Sequence, residues 1–163
     1  MDQRQFRDIS GSFATGVTVI TTKSECGHPI GMTANSFTSL SLNPPLILFN
    51  IAKSSSLYDA FMKSNIFAVN ILSAEQENLS RQFSKKNIDR FEGIGYEEDV
   101  TGSPILKDVL GYFDCVVKSR YDGGDHTIII GETKNGAVKD GDPLIFYRGK
   151  YARLESSRMI IGK

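Results

Sequence analysis

The sequence predicts a mainly β protein with short helices, and it favours a closed antiparallel barrel over a doubly wound parallel sheet. Six or seven runs of β-branched and apolar residues are separated by turn-forming residues, whereas only two or three short segments have helical spacing. The chain also contains no GxGxxG or GxxxxGK[ST] motif, which argues against a Rossmann or P-loop nucleotide site.

The first half of the chain alternates helices and strands. Phe6, Ile9 and Phe13 are spaced by three and four residues, which predicts a short amphipathic helix that is broken near Gly11 or Gly16. A change to β-branched and apolar residues then predicts four strands, with a turn over 24–29 between the first two. These strands are expected at 16–22, 30–35, 46–51 and 66–72.

The second half begins with helices and returns to strands. One helix is predicted over 56–62, after a Ser run suited to capping. Another begins at a capping box from Ser73 to Gln76 and buries Leu79 and Phe83. Residues 84–103 are polar and are expected to be irregular. Further strands are predicted over 112–121 and 127–133, followed by a hairpin of 144–147 and 151–154.

Length and charge describe one neutral domain. The 163 residues are enough to bury a core without disulfides. Nineteen Lys and Arg residues balance nineteen Asp and Glu residues, so the formal net charge is zero. A neutral chain has no field that would steer it onto nucleic acid or an anionic membrane, although a local basic pocket stays open as an alternative.

The cysteines and the N-terminus indicate the compartment. Cys26 and Cys115 lie far apart without a CxxC partner, so reduced thiols are favoured over a disulfide. Cys26 with His28 supplies only half of a zinc site, and no metal is expected. No apolar run approaches the roughly 20 residues of a membrane helix, and the N-terminus lacks a signal peptide's apolar region. We therefore expect a cytoplasmic protein.

A run of small side chains is the most unusual feature of the sequence. Residues 31–41 combine Gly, Ala, Ser and Thr with one Phe, in a strand followed by a bend. Small side chains let a flat ligand approach the backbone, while the Asn35 amide and nearby N–H groups could read its polar edge. A Ser/Thr-rich edge strand is the alternative interpretation.

Two basic segments could hold a phosphate. The run from Lys53 to Ser56 stands before a predicted helix, where N–H groups and hydroxyls can bind an anion. Lys85 and Lys86 could supply further positive charge. Taken singly, these segments also fit a helix cap and a solvated charge pair. Together with the run of small residues, they favour a phosphorylated flat cofactor.

The two histidines differ in context. His28 lies in a predicted turn and fits a solvated side chain better than a ligand. His126 follows Gly124 and Asp125 and begins a strand, where a neighbouring Asp can hold the imidazole in one tautomer at a pocket rim. A purely structural role for His126 remains the alternative. No Ser lies in a GxSxG elbow.

Short motifs also follow one another in a specific order from about Phe6 to Leu154. They are FATGVTVITT at 13–22, GMTANSF at 31–37, SLS at 39–41, NPP at 43–45, FAVNIL at 67–72, Gln76 with Leu79, GDH at 124–126, GE at 131–132 and PL at 143–144. In this order the chain resembles the flavin reductase family with the FMN-binding split-barrel fold. The resemblance is closest to the reductase components of two-component flavin-dependent aromatic monooxygenases.

This resemblance implies a split β-barrel of the Greek-key type, formed as a homodimer with flavin sites at or near the subunit interface. One domain would span residues 1–163, with its core at about 6–154. The implied activity is hydride transfer from NADH or NADPH to FMN or FAD, with the reduced flavin supplied to a partner monooxygenase. Two alternatives stay open: a flavoredoxin-like electron carrier that does not oxidise nicotinamide, and a β-barrel interaction module that binds no flavin.

The resemblance also implies site residues, carried over by position. The wall against the flavin ring and ribityl chain would be Thr33, Ala34, Asn35, Ser36, Phe37, Ser39 and Leu40. The phosphate side would be Asn50, Lys53, Ser54, Ser55, Ser56, Phe83, Ser84 and Lys85. The nicotinamide side would be Thr38, Asp125, His126, Tyr147 and Tyr151. Within this last group His126 would support catalysis by positioning the nicotinamide.

Overall fold

Strands dominate the structure, a computed structural model that describes residues 1–154. Three α-helices are present: α1 Gln3–Ser10, α2 Tyr58–Lys63 and α3 Glu77–Ser84, the last preceded by a 3₁₀ turn at Ala74–Gln76. The strands are β1 Thr15–Gly16, β2 Thr18–Lys23, β3 Pro29–Ala34, β4 Thr38–Leu42, β5 Pro45–Ala52, β6 Ile66–Ile71, β7 Tyr96–Glu98, β8 Pro104–Leu106, β9 Gly111–Gly123, β10 His126–Val138, β11 Ile145–Tyr147 and β12 Lys150–Ala152. Of the domain predicted over 1–163, residues 155–163 lie outside the described part.

The main sheet is antiparallel and has seven strands in the order β3-β2-β6-β9-β10-β5-β4. Strands β1, β11 and β12 form a small second sheet, and β7 pairs with β8. The strand runs predicted from β-branched residues are therefore confirmed. The main sheet is not closed into a barrel within residues 1–154, because it ends at β3 and β4 without a ladder between them.

Two hairpin turns follow directly from residue type. Strands β9 and β10 are joined at Gly124 and Asp125, and Gly124 has a φ of 75° that suits a residue without Cβ. Strands β11 and β12 are joined at Arg148 and Gly149, whose φ values of 47° and 76° are both positive, as in a type I′ turn. Both turns lie where the sequence predicted them.

The helix starts are only partly as predicted. At the 3₁₀ turn, the Ser73 N–H donates to Gln76 Oε1 at 3.0 Å, so the predicted capping box is present. The Ser run does not cap α2 as predicted, because α2 begins after Leu57 and no side chain bonds its first turn. Ser55 Oγ instead accepts the Leu57 N–H at 3.2 Å, which tightens the loop before the helix.

The core consists of two apolar clusters. One joins β2, β5, β6, β9 and β10 with α2 around Phe49, Phe61 and Phe67. The other lies under α3 and contains Phe83 and Phe91, whose ring centroids are 5.0 Å apart at an angle of 85°. The aromatic rings thus provide most of the volume that connects helices to sheet.

Candidate functional site

A cleft of about 820 Å³ lies between α1 and the end of the sheet where β5 meets β10. It combines polar side chains from the sheet with the first two turns of α1. The lining residues are Met1, Asp2, Gln3, Phe6, Arg7, Ser36, Asn50, Gly123, Asp125, His126 and Ile128. Four of the predicted site residues, namely Ser36, Asn50, Asp125 and His126, are therefore brought together in one cavity.

The register of β5 against β10 explains why Asn50 and His126 lie on the same face of the sheet. Buried and half-buried side chains alternate along β5, so Asn50 lies on the opposite face from Phe49 and Ile51. Asn50 is the cross-strand partner of Ile128, and His126 is the partner of Ala52. The core face of the sheet therefore holds the aromatic rings, while the other face presents the side chains of the cleft.

Ser36 connects the loop after β3 to the middle of β5. Its Oγ donates to the Asn50 carbonyl oxygen at 3.0 Å and accepts the Asn50 N–H at 3.2 Å. On the same side of β5 the β4 ladder begins two residues away, with Thr38 opposite Leu48. The Ser36 hydroxyl thus continues the ladder and holds the run of small residues against the cleft.

The side-chain oxygen of Asn50 indicates whether the cleft suits the flavin that the resemblance implies. Its Oδ1 is buried and has no hydrogen-bond partner among the described residues. A buried acceptor without a donor is costly, which indicates that a ligand supplies the donor. A flavin carries N–H and hydroxyl donors, so this orphaned oxygen fits such a group.

The Asp125–His126 pair lies at the rim of the cleft, on the β9–β10 turn. His126 Nδ1 is 2.7 Å from Asp125 Oδ1, and the His126 side chain is 45% exposed. The hydrogen bond and the charge of the imidazole lower the pKa of the Asp125 carboxyl. The carboxylate therefore orients the ring and leaves Nε2 for a ligand, as the sequence predicted for a strand-edge His beside an Asp.

The predicted phosphate loop lies next to this turn. The Lys53 N–H donates to the Asp125 carbonyl oxygen at 2.9 Å, and the Ser55 N–H donates to Ala52 O at 2.9 Å. Ser54 and Ser56 are exposed. The loop is thus anchored at its start and offers its hydroxyls to solvent.

The second predicted phosphate segment is placed differently. Phe83 is 0% exposed and its ring packs in the core. Ser84 Oγ donates to Arg81 O at 2.8 Å. Lys85 ends α3 and is exposed. None of these three residues lines the cleft.

The remaining wall residues follow β3 and β4. Thr33 Oγ1 donates to Ser80 O at 2.5 Å, which fixes β3 to α3. The Phe37 ring packs on Phe113 with centroids 5.8 Å apart. The other predicted wall positions are the half-buried Ala34 and the exposed Asn35, Ser39 and Leu40, while Thr38, predicted for the nicotinamide side, is also exposed.

The two tyrosines of the terminal hairpin lie outside the cleft. Tyr151 bonds Ser80 Oγ at 2.8 Å and is covered by the Arg81 guanidinium, 4.8 Å from its ring centroid. Tyr147 is half-exposed, with the Arg148 guanidinium 5.4 Å from its centroid. Tyr151 therefore packs from β12 against α3.

The contribution of α1 was not foreseen from the sequence. Phe6 and Arg7 line the cleft, yet the periodicity of the helix predicted only an apolar face against a core. No residue of α1 is buried, and Phe6 remains 61% exposed. The apolar stripe of the helix was the one sequence feature that could have indicated a role for α1, but such a stripe does not show which surface the helix lies against.

Two kinds of structural feature are absent from residues 1–154. No helix in this part of the chain is long and apolar enough to span a membrane. Within the same residues, no group of three or more His, Cys, Asp or Glu side chains is arranged to hold a metal ion. Cys26 is exposed, Cys115 is buried, and both are free thiols.

Curated proteins share the sequence over nearly its whole length. The reductase subunit HsaB of a flavin-dependent monooxygenase from Rhodococcus jostii is 41% identical over 161 residues, covering 98% of this chain and 82% of that protein. The FMN reductase (NADH) SmoA from Agrobacterium fabrum is 45% identical over 152 residues, covering 93% of this chain and 86% of that protein.

A solved structure and a family model agree with these relatives. The NADH:FAD oxidoreductase SgcE6 from Streptomyces globisporus, solved in complex with NAD and FAD fragments, superposes with a TM-score of 0.90 at 34% identity, covering 96% of this chain and 95% of that one. The model of the flavin reductase like domain matches residues 10–155. The resemblance stated from the motifs is confirmed, and this chain belongs to the flavin reductase family.

Proposed function

We propose that this protein is an NAD(P)H:flavin oxidoreductase that supplies reduced flavin to a partner monooxygenase. The observation that carries the proposal is the cleft that joins Ser36, the orphaned Asn50 acceptor and the Asp125–His126 pair. The relatives support the same activity, since one is named a monooxygenase reductase subunit and another an FMN reductase using NADH.

The flavin would be FMN or FAD, and the donor NADH or NADPH. When bound, the flavin supplies the acceptor for the hydride, and the protein supplies binding and orientation. The Asn50 oxygen would accept a hydrogen bond from the flavin, while Lys53, Ser54 and Ser56 would face its phosphate. The wall would be the backbone of residues 33–40, which Ser36 holds in place through its two bonds to Asn50.

His126 would position the nicotinamide rather than carry out acid–base chemistry. Its Nδ1 is engaged by Asp125, so Nε2 is the nitrogen left to contact a ligand. Holding two rings in a reactive arrangement is the protein's main contribution to such a transfer. We also propose Thr38, Tyr147 and Tyr151 for the nicotinamide side. The two tyrosines lie outside the cleft of their own protomer, so they would contact a nicotinamide that extends beyond it.

A homodimer with the Greek-key split barrel is the assembly we propose. Phe6, Ile9 and Phe13 form an apolar stripe on and just after α1, with exposed fractions of 61%, 58% and 78%. Leu42 on β4 is 95% exposed. A second copy covering α1 would bury this area, and an N-terminal helix lining the cleft would place the flavin near the subunit interface.

The dimer can be tested by mass. Light scattering of the purified protein should give twice the protomer mass, and the double variant Phe6→Glu/Ile9→Glu should give the protomer mass. The matched control is Val100→Glu, which changes an exposed apolar residue outside the stripe. A wild-type monomer, or dissociation by the control alone, would contradict the proposal. We further propose a cytoplasmic location, which fits the two free thiols.

The activity is tested by mixing the protein with NADH or NADPH and free FMN or FAD, then following nicotinamide absorbance. Oxidation of nicotinamide with many turnovers per protein is expected. A bound flavin that neither nicotinamide bleaches would instead support the electron carrier, the second candidate. A colourless protein that binds no flavin would favour the interaction module.

A further inference from the structure

Lys53 is held by the β9–β10 hairpin at two points. Its ammonium forms an ion pair with the Asp122 carboxylate, and its N–H donates to the Asp125 carbonyl oxygen at 2.9 Å. Asp122 is the penultimate residue of β9, and Asp125 lies in the turn that follows. The phosphate loop and the histidine turn are thus connected through one lysine.

In this ion pair the Lys53 ammonium, which a ligand phosphate would need as its partner, is already bound to the Asp122 carboxylate. Its hydrogen bond raises the pKa of Lys53 and lowers the pKa of Asp122, so both groups are charged at neutral pH. The Lys53 side chain is 40% exposed and the Asp122 side chain 77% exposed. An exposed pair of this kind is weak and exchanges readily for another anion.

The neighbouring groups indicate what that anion would meet. The hydroxyls of Ser54 and Ser56 form no hydrogen bond with any residue of the described part of the chain. The Asp122 carboxylate is the one acidic side chain in contact with the Lys53 ammonium among residues 1–154. A ligand phosphate entering here must displace this carboxylate and is repelled by it.

We propose that Asp122 is an internal counterion that competes with the ligand phosphate for Lys53 and so weakens the binding of phosphorylated flavin. This inference rests on the proposed function, because it assumes that the Lys53 loop is the phosphate side of the flavin site. It assigns Asp122 a role in specificity, because the residue lowers the affinity for FMN relative to the affinity for unphosphorylated riboflavin. Weaker retention favours release of flavin to a partner.

The test measures dissociation constants of FMN and riboflavin from the quenching of flavin fluorescence, without nicotinamide. In Asp122→Asn, FMN should bind about fivefold more tightly than in the wild type, because the one carboxylate that competes for Lys53 and repels the phosphate is removed. Riboflavin affinity should stay unchanged. The difference should shrink at high salt, where exposed charges are screened.

Two controls separate this effect from a general change of charge. Glu25→Gln removes the acidic partner of a comparable exposed pair, Lys63–Glu25 at 2.9 Å, and should leave FMN binding unchanged. Lys53→Met should weaken FMN binding and reduce the effect of a second change at Asp122, because only the direct repulsion between the Asp122 carboxylate and the phosphate then remains. Asp122→Ser should reproduce Asp122→Asn, which covers a variant that folds poorly.

The outcomes are distinct. Equal FMN binding in both Asp122 variants would overturn the proposal. Weaker FMN binding in both would also overturn it and would indicate that Asp122 holds Lys53 in its binding position. Tighter binding of FMN and riboflavin alike would also overturn it, since phosphate would not be the group involved. If the wild type binds neither flavin, the proposed function fails and the role of Asp122 fails with it.

Discussion

The Ser36 hydroxyl bonds both main-chain polar groups of Asn50, donating to the carbonyl oxygen at 3.0 Å and accepting from the N–H at 3.2 Å. Ser36→Ala should therefore lower the free energy of unfolding by about 1–2 kcal/mol, because two main-chain groups lose their partner. Flavin affinity should also fall several-fold, since the loop at the cleft is released. Urea unfolding and flavin titration measure the two effects, and a variant unchanged in both would contradict this role of Ser36.

Asn50→Ala should lower flavin affinity without lowering stability. The Asn50 Oδ1 is buried without a partner in residues 1–154, so removing it relieves a cost and leaves the unfolding free energy of the ligand-free protein nearly unchanged. Flavin affinity should drop about tenfold, because the ligand donor loses its acceptor. Strong destabilisation with intact flavin binding would contradict the assignment of this oxygen to the ligand.

His126→Ala should affect the nicotinamide step and spare the flavin. The expected result is a higher KM for NADH or slower flavin reduction in stopped-flow absorbance, with nearly intact flavin affinity. Asp125→Asn should move the same parameters less, since it acts by orienting the ring. His28→Ala is the control, because His28 is exposed in the 24–28 turn. Unchanged reduction by NADH in His126→Ala would exclude the proposed role.

Gly131→Ala should lower the unfolding free energy by about 1–3 kcal/mol, an overpacking cost. A Cβ at this position of β10 would collide with the Phe67 ring and lie 3.1 Å from Cys115 Cβ. Gly16→Ala is the matched control, because a Cβ there meets nothing within 4 Å. Equal melting temperatures for both variants would contradict this packing.

Tyr112→Phe should reduce stability in a defined pH window. The Tyr112 hydroxyl donates to Asp99 Oδ2 at 2.7 Å, which lowers the pKa of Asp99 and raises the pKa of Tyr112 to about 12. A lowered carboxyl pKa stabilises the fold above its unfolded value of about 4, and a raised phenol pKa does so below about 10.

Denaturant unfolding of the wild type and of Tyr112→Phe should therefore differ between these limits. The difference should be about 1 kcal/mol or less, because the pair is partly exposed. It should shrink as the pH falls through the pKa of the folded Asp99, and again as the pH rises towards 12. A difference that is constant from pH 3 to pH 7 would show that the bond is not linked to the ionisation of Asp99.

Local chemistry made much of the fold predictable. Strands β2, β5, β6 and β10 appear where β-branched and apolar residues run together, and both hairpin turns appear at their glycines. The openness of the sheet was not predictable, because a count of strands carries no register and does not determine whether the first and last strand pair.

The site was predictable in part. Asp125 and His126 could be identified because they are adjacent in the sequence. Ser36 and Asn50 could be identified from the resemblance to the family. Phe83 is buried in the core, as its i, i+4 spacing from Leu79 predicted. The α1 residues Phe6 and Arg7 were missed because helical periodicity gives a face but not what lies opposite it.

The register that pairs β5 with β10 also has a kinetic consequence. Asn50 and Ile128 come together only after a segment of nearly half the chain has closed on itself, and the entropy of closing such a loop slows folding. The two halves of the cleft, one carried by each strand, should therefore join late. Recovery of flavin binding during refolding would therefore follow the pairing of β10 with β5 rather than the formation of local hairpins such as β2–β3.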